Sequence, residues 1–139
     1  YEYKIGKGVV YKEPIDGLFI TTGIMAQKAL KAISELNSQS IKVGLLHLHT
    51  VKPLDKEIIV KYFKKIKNII IAEEHSEIGG LGSAIIEMAV KNKLNNNIKT
   101  LGLPDTFNDK YGNQEELLNH YGLNKNRLIN EMKTLIFNA

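Results

Sequence analysis

One segment, Asn68-Ile69-Ile70-Ile71-Ala72, constrains the fold of this chain more than any other. A strand that is exposed on one face alternates apolar and polar side chains. A strand of a parallel sheet is covered on both faces, so its sequence is apolar throughout. The segment therefore predicts an interior strand with a layer of helices on each side of the sheet.

Strand-like and helix-like segments alternate along the rest of the chain. Apolar residues recur at three- and four-residue steps in residues 25–36, 58–66 and 81–89, as they do in amphipathic helices. Such alternation is typical of a parallel sheet between two helical layers. The sequence predicts an α/β fold, an open three-layer α/β/α sheet of about five mostly parallel strands. The first strand, which ends at Lys12, has no crossover helix before it and is open to an antiparallel orientation.

Size and composition narrow the class of protein. The 139 residues contain neither an internal repeat nor a low-complexity linker, so residues 1–139 are expected to form a single domain. The net charge of +4 comes from dispersed lysines, and no apolar run is long enough to cross a bilayer. We therefore expect neither nucleic acid nor membrane as a partner, and a cytoplasmic location. The chain has no cysteine, which excludes disulfides and thiol chemistry.

Two acids and a histidine, Glu73, Glu74 and His75, directly follow the apolar run. Ligands of open α/β sheets bind at the carboxyl edge of the strands, so this trio is the best candidate for chemistry in the chain. A carboxylate beside an imidazole can act as an acid/base pair. Alternatively, the acids meet the N-terminus of the next helix or a neighbouring domain. We favour the second interpretation because no nucleophile or metal-ligand set lies nearby in the sequence.

A glycine cluster stands where this strand gives way to the next helix. Glycines at such a point let backbone N–H groups face an anion at the positive end of the helix. The spacing G-G-x-G-S matches neither the dinucleotide fingerprint nor the phosphate-binding P-loop. A tight turn with close packing of helix on strand is the favoured alternative. The residues of this candidate interface or anion site are Glu73, Glu74, His75, Gly79, Gly80, Gly82 and Ser83.

Three further polar residues have positions that suggest a role. His47 and His49 are two residues apart at the end of a strand-like segment and are expected to share one face. No third ligand has a matching spacing, so an interface role is favoured over a metal site. Asp55 is expected to cap the N-terminus of the helix that follows it.

Several motifs occur in the order and at the separations found in the C-terminal domain of transketolases, which the chain resembles from about residue 16 to residue 133. The separate C-terminal subunit of split transketolases is the nearest match. The related domain of 1-deoxy-xylulose-5-phosphate synthase shares K-P-L-D and L-P-D-x-F but less of E-E-H, and the beta subunits of 2-oxo-acid dehydrogenases are more distant. The motifs are Thr22-Gly23, Val51-Lys52-Pro53-Leu54-Asp55, Ala72-Glu73-Glu74-His75, the segment from Ile78 to Ala84, the segment from Leu101 to Phe107, and Tyr121-Gly122-Leu123.

The resemblance implies a non-catalytic assembly or regulatory domain of a thiamine-diphosphate-dependent enzyme that transfers ketol groups between sugar phosphates, as in the pentose phosphate pathway. In that family the cofactor and its magnesium ion lie between the two preceding domains, held by a Gly-Asp-Gly…Asn motif. No Gly-Asp-Gly occurs in this chain, so no catalytic, cofactor-binding or metal-binding residue is carried over. The implied partners are the N-terminal and middle catalytic domains, in the same chain or a separate subunit, within a homodimer or heterotetramer. Because the chain begins at Tyr1, we expect it to be a piece of a longer enzyme.

Other readings of the same residues stay open. The strand-end acids and the glycine loop also suit an independent small-molecule or nucleotide-binding module. The chain is also compatible with an interaction domain that has no enzyme attached, or with the C-terminal domain of 1-deoxy-xylulose-5-phosphate synthase. A neighbouring reading frame with the Gly-Asp-Gly motif would favour the transketolase interpretation.

Overall fold

Residues 3–138, the part of the chain that the computed structural model describes, form five strands and five helices. The sheet order is β1-β3-β2-β4-β5; β1 is antiparallel to β3, and all other neighbours are parallel. The predicted mostly parallel sheet is confirmed, and so is the antiparallel option for its first strand. The elements are β1 (Val9–Lys12), β2 (Gly17–Thr21), α1 (Met25–Ser38), β3 (Val43–His47), α2 (Lys56–Phe63), β4 (Asn68–Ser76), α3 (Leu81–Lys91), β5 (Asn97–Leu103), α4 (Gln114–His120) and α5 (Lys125–Phe137).

Two apolar clusters cover the two faces of the sheet. In β4, Ile70 enters the cluster formed with α1, α4 and α5, whereas Ile69 and Ile71 enter the cluster formed with α2 and α3. Each of the three isoleucines is at most 1% exposed. Successive strand residues point to opposite faces, so a strand that is apolar throughout supplies both clusters. The three-layer arrangement predicted from this segment is confirmed.

The connection between β1 and β2 passes closely beside the start of β3. The backbone N–H groups of Ile15 and Asp16 both donate to the carbonyl oxygen of Lys42, at 3.2 and 2.8 Å. Two residues after Lys42, a Cβ added to Gly44 would lie 2.4 Å from the backbone nitrogen of Pro14. Real Cβ atoms do not approach a backbone nitrogen so closely, so this crossing requires a residue without a side chain.

Asp55 caps α2, as its position in the sequence predicts. Its carboxylate accepts a hydrogen bond from the backbone N–H of Ile58 at 3.4 Å and a second one from that of Gly8 at 2.9 Å. The side chain is 6% exposed, and the Lys7 ammonium lies 3.8 Å from it. Asp55 therefore also fastens the segment before β1 to the start of α2.

No helix within residues 3–138 is both long enough and apolar enough to cross a membrane.

Candidate functional site

The trio of Glu73, Glu74 and His75 lies within the last residues of β4, because this strand continues beyond the apolar run to Ser76. Up to Ala72, β4 pairs with β2 on one side and with β5 on the other, and its register with β5 shifts before Ser76. Neighbouring strand residues point to opposite faces of the sheet. Glu73 and His75 accordingly lie on the α3 side, and Glu74 lies on the α4 side.

Glu73 caps helix α3 from inside the protein. Its side chain is only 3% exposed, and its two carboxylate oxygens accept hydrogen bonds from the backbone N–H groups of Leu81, at 2.7 Å, and Gly82, at 2.9 Å. The residue at the N-cap position, Gly80, has no side chain to offer. A carboxylate at a helix N-terminus satisfies free donors and interacts favourably with the helix dipole. One acid of the trio thus meets the following helix, as the favoured interpretation predicts.

The glycines of the cluster are accounted for by this packing. A Cβ on Gly80 would lie 2.2 Å from the Glu73 Oε2 atom, and a Cβ on Gly82 would lie 2.8 Å from the Cγ2 atom of Thr100 on β5. Gly79 has a φ of +77°, which glycine adopts without strain. A tight turn and close contact between helix and strand explain these positions without a bound ligand.

Ser83 closes the same turn. Its Oγ atom accepts a hydrogen bond from the backbone N–H of Gly79 at 3.0 Å and donates one to the carbonyl oxygen of Glu77 at 3.2 Å. The N–H group of Gly79 is therefore already satisfied. Together with the two groups held by Glu73, three donors at the start of α3 have partners within the chain.

His75 and Glu73 do not form an acid/base pair in this geometry. The His75 side chain is 62% exposed, and its Nδ1 atom lies 4.0 Å from Glu73 Oε2, too far for a hydrogen bond. Instead Nδ1 donates to the carbonyl oxygen of Ser76 at 3.0 Å. The imidazole thus lies on the protein surface, beside a carboxylate that is already occupied by the helix.

Glu74 lies at the edge of a cleft that the sequence does not reveal. Its carboxylate accepts a hydrogen bond from the side-chain amide of Gln114 on α4 at 2.8 Å. The cleft has a volume of about 630 Å³ and lies between the end of β4, the loop of residues 104–113 and α4. We call it the Glu74 cleft; Ser76, Asp105, Asn108 and Tyr121 also line it. The only signal for it in the sequence is that the loop after β5 starts at the carboxyl edge beside β4.

The histidine pair lies at the carboxyl end of β3. The ring centroids of His47 and His49 are 6.4 Å apart. His47 Nδ1 is 3.2 Å from the Thr21 hydroxyl oxygen, and His49 Nε2 donates to the carbonyl oxygen of Lys4 at 2.9 Å. Burial, and secondly the neighbouring His49, lowers the pKa of His47 below its ordinary value of 6.5.

We expect the free energy of unfolding to decrease as the pH falls below 6.5, and His47→Gln to remove part of that decrease. Because folding lowers the pKa of His47, the unfolded chain there binds a proton that the folded chain does not, and acid favours unfolding. Urea unfolding at a series of pH values measures the slope. His75→Gln, which removes an exposed imidazole, is the matched control. Equal slopes for the wild type and His47→Gln would contradict this assignment.

Comparison with known proteins places the chain in a family. The sequence pattern of the family described as "Transketolase, C-terminal domain" matches residues 6–128. The chain belongs to the transketolase C-terminal domain family. This result confirms the resemblance carried by the K-P-L-D, E-E-H and G-G-L-G-S motifs.

Two relatives illustrate where transketolase C-terminal domains occur. A protein of Methanocaldococcus jannaschii, named as a transketolase C-terminal section, is 37% identical over 136 residues, which cover 94% of this chain and 42% of that protein. The 1-deoxy-D-xylulose-5-phosphate synthase of Halothermothrix orenii is 36% identical over 133 residues, covering 95% of this chain and 21% of that enzyme. The chain therefore spans less than half the length of these relatives.

A solved transketolase structure contains the same fold. The structure, described as "Split gene transketolase, inactive beta4 tetramer", superposes with a TM-score of 0.86 at 31% identity. The superposition covers 98% of this chain and 43% of that one. The predicted fold type, that of a transketolase C-terminal domain, is confirmed.

Enzymes of the transketolase type depend on thiamine diphosphate, and the described residues offer no cluster of acids and histidines for the metal that accompanies it. The cofactor's pyrophosphate needs a divalent metal held by several oxygen ligands. Within residues 3–138, no group of three or more histidine, cysteine, aspartate or glutamate side chains is placed to hold a metal ion. The buried acid at the end of β4, Glu73, is occupied by the backbone of α3.

Proposed function

We propose that this chain is the non-catalytic, assembly-forming C-terminal domain of a thiamine-diphosphate-dependent enzyme that transfers ketol groups between sugar phosphates. The observation that carries the proposal is that Glu73, the best candidate for a chemical role, instead caps helix α3. The family membership supplies the kind of enzyme; among the described residues, His75 and Glu73 lie 4.0 Å apart without a hydrogen bond, and no three acids or histidines are grouped to hold a metal. The chemistry then belongs to the N-terminal and middle domains.

Within this proposal, the seven candidate site residues divide into two groups. Glu73, Gly79, Gly80, Gly82 and Ser83 shape the turn into α3. Glu74 and His75 are exposed beside that turn and are available to a neighbouring domain.

An interface suits these positions better than an anion site. An anion at the start of α3 would need backbone N–H donors, and those of Leu81 and Gly82 already donate to Glu73 while that of Gly79 donates to Ser83. The carboxylate of Glu73 also occupies the position where an anion would gain from the helix dipole. A second negative charge there would be repelled.

The partners in this proposal are the N-terminal and middle catalytic domains, in the same polypeptide or in a separate subunit. The similarity to separate C-terminal sections supports a split enzyme, and the similarity to 1-deoxy-D-xylulose-5-phosphate synthase keeps a fused one open. The assembled enzyme would be a homodimer or heterotetramer in the cytoplasm. The family match, which covers residues 6–128, weighs against a stand-alone nucleotide-binding module.

We expect the chain alone to show no ketol transfer with thiamine diphosphate and magnesium. Mixed with the catalytic domains of its parent enzyme, it should raise turnover in a saturable way. A coupled assay at increasing chain concentration measures both effects. His75→Ala should shift the titration to higher concentration but reach the same plateau, because only association is weakened. Turnover by the chain alone, or a depressed plateau for His75→Ala, would contradict the proposal.

A further inference from the structure

Two aromatic side chains of the loop 104–113, Phe107 and Tyr111, project fully into solvent. Their exposed fractions are 101% and 102%, so neither ring rests on the rest of the chain. Single exposed apolar residues are ordinary, but two uncovered aromatic rings on one short loop are a feature of binding surfaces. The same loop forms one wall of the Glu74 cleft.

The base of this loop is fixed although its aromatic rings are free. The Tyr121 hydroxyl donates to the side-chain oxygen of Asn108 at 2.8 Å. At the end of the loop, Asn113 and Glu116 form a capping box that starts α4, with hydrogen bonds of 2.9 and 3.0 Å between them. The side-chain amide of Gln114, the first residue of α4, donates a hydrogen bond to Glu74 on β4. A surface held in this way loses little conformational entropy when a partner binds.

The charge of the cleft indicates what it binds. Its lining contains two carboxylates, those of Glu74 and Asp105, and no lysine, arginine or histidine. Leu103 and Leu117 supply apolar wall. The chain as a whole carries a net charge of +4, so this acidic cleft is opposite in sign to the net charge of the chain. An apolar side chain accompanied by a lysine or arginine would match both the walls and the charge.

We propose that the Glu74 cleft, together with Phe107 and Tyr111, is the surface on which a catalytic domain of the parent enzyme docks. The docking segment inserts an apolar side chain beside a lysine or arginine that meets Glu74 and Asp105. This inference rests on the proposed function and deepens it, since it assigns the partner to one surface. Family relatives are more than twice as long as this chain, so they contain further polypeptide from which such a partner can come.

Two other occupants fit the observations less well. A small molecule in the cleft would leave both aromatic rings in water, because neither ring lines the cleft. A second copy of this chain in a symmetric pair would bring the same acidic cleft against the first, and the carboxylates of the two clefts would repel each other. A catalytic domain covers the rings and the cleft at once.

The test is the affinity of the chain for the polypeptide that carries the catalytic domains, measured by biolayer interferometry. The double variant Phe107→Ala, Tyr111→Ala should bind at least about tenfold more weakly, as expected when central aromatic contacts are removed. Both rings are fully exposed, so the double variant should keep the wild-type melting temperature. The control is Phe137→Ala at the end of α5, which removes a ring of 66% exposure away from the cleft and should leave binding unchanged.

The charges are tested separately. The double variant Glu74→Gln, Asp105→Asn should weaken binding and reduce its dependence on salt concentration, because a cationic partner group loses its counter-charges. Wild-type affinity in both double variants would overturn the docking surface while leaving the proposed function intact. If the double variants lose self-association but keep their affinity for the catalytic domains, the surface binds a second copy of the chain and the docking proposal is wrong. If the wild-type chain fails to bind the catalytic domains at all, both proposals fall.

Discussion

Replacing Glu73 by alanine should lower the free energy of unfolding by about 3 kcal/mol, because it leaves two buried backbone donors without acceptors. The N–H groups of Leu81 and Gly82 have the Glu73 carboxylate as their partner, and the side chain is 3% exposed, so water does not readily replace it. The favourable interaction of the charge with the start of α3 is lost as well. Urea unfolding followed by circular dichroism measures the change.

The neighbouring acid provides a matched control for this variant. Glu74→Ala removes the same chemical group one residue later, but Glu74 is exposed and bonded only to the side chain of Gln114 among the described residues. Its loss should change the free energy of unfolding by about 0.5 kcal/mol or less. If the two variants were equally stable, Glu73 would not be the cap of α3.

Gly44→Ala should destabilise the domain to a similar extent, by about 3 kcal/mol, through overpacking. The added Cβ would lie 2.4 Å from the backbone nitrogen of Pro14 and 2.6 Å from the carbonyl oxygen of Lys12. Both are backbone atoms, so relief requires the whole connection from β1 to β2 to move away from β3. Thermal unfolding of the variant and the wild type measures the loss.

A second glycine gives the comparison for Gly44. At Gly112, in the exposed loop before α4, an added Cβ would meet first the end of the flexible Glu116 side chain, at 2.7 Å. Gly112 is not among the described glycines with positive φ, so alanine introduces no backbone strain. Gly112→Ala should cost less than about 1 kcal/mol. A Gly44→Ala protein as stable as Gly112→Ala would show that the crossing beside β3 is not tightly packed.

Local sequence pattern was enough to predict the layers of this fold. Residues 69–71 are apolar without interruption, which requires cover on both faces of the strand. The apolar residues of α1 recur every three or four positions, which is the spacing of an amphipathic helix. The orientation of β1 was not determined in this way. It depends on pairing of the edge strand β1 (Val9–Lys12) with β3, about 35 residues later in the chain, and side-chain periodicity is the same in parallel and antiparallel strands.

The candidate site was likewise predictable only in part. The two-residue period of a strand indicated that Glu73 and Glu74 point in opposite directions, and the following helix offered a partner for one of them. Which acid meets the helix depends on the face that α3 covers, so the sequence left it undecided. The Glu74 cleft was missed because its other wall comes from Gln114 and Tyr121, some 40 residues further along the chain.

The claim that the chemistry lies outside this chain is tested most directly by cofactor binding. Isothermal titration calorimetry with thiamine diphosphate in magnesium buffer can be performed on the chain alone and on the chain mixed with the catalytic domains of its parent enzyme. We predict no binding heat above dilution for the chain alone and saturable binding for the mixture. Saturable, magnesium-dependent binding of thiamine diphosphate to the chain alone would contradict the assignment of a non-catalytic assembly domain.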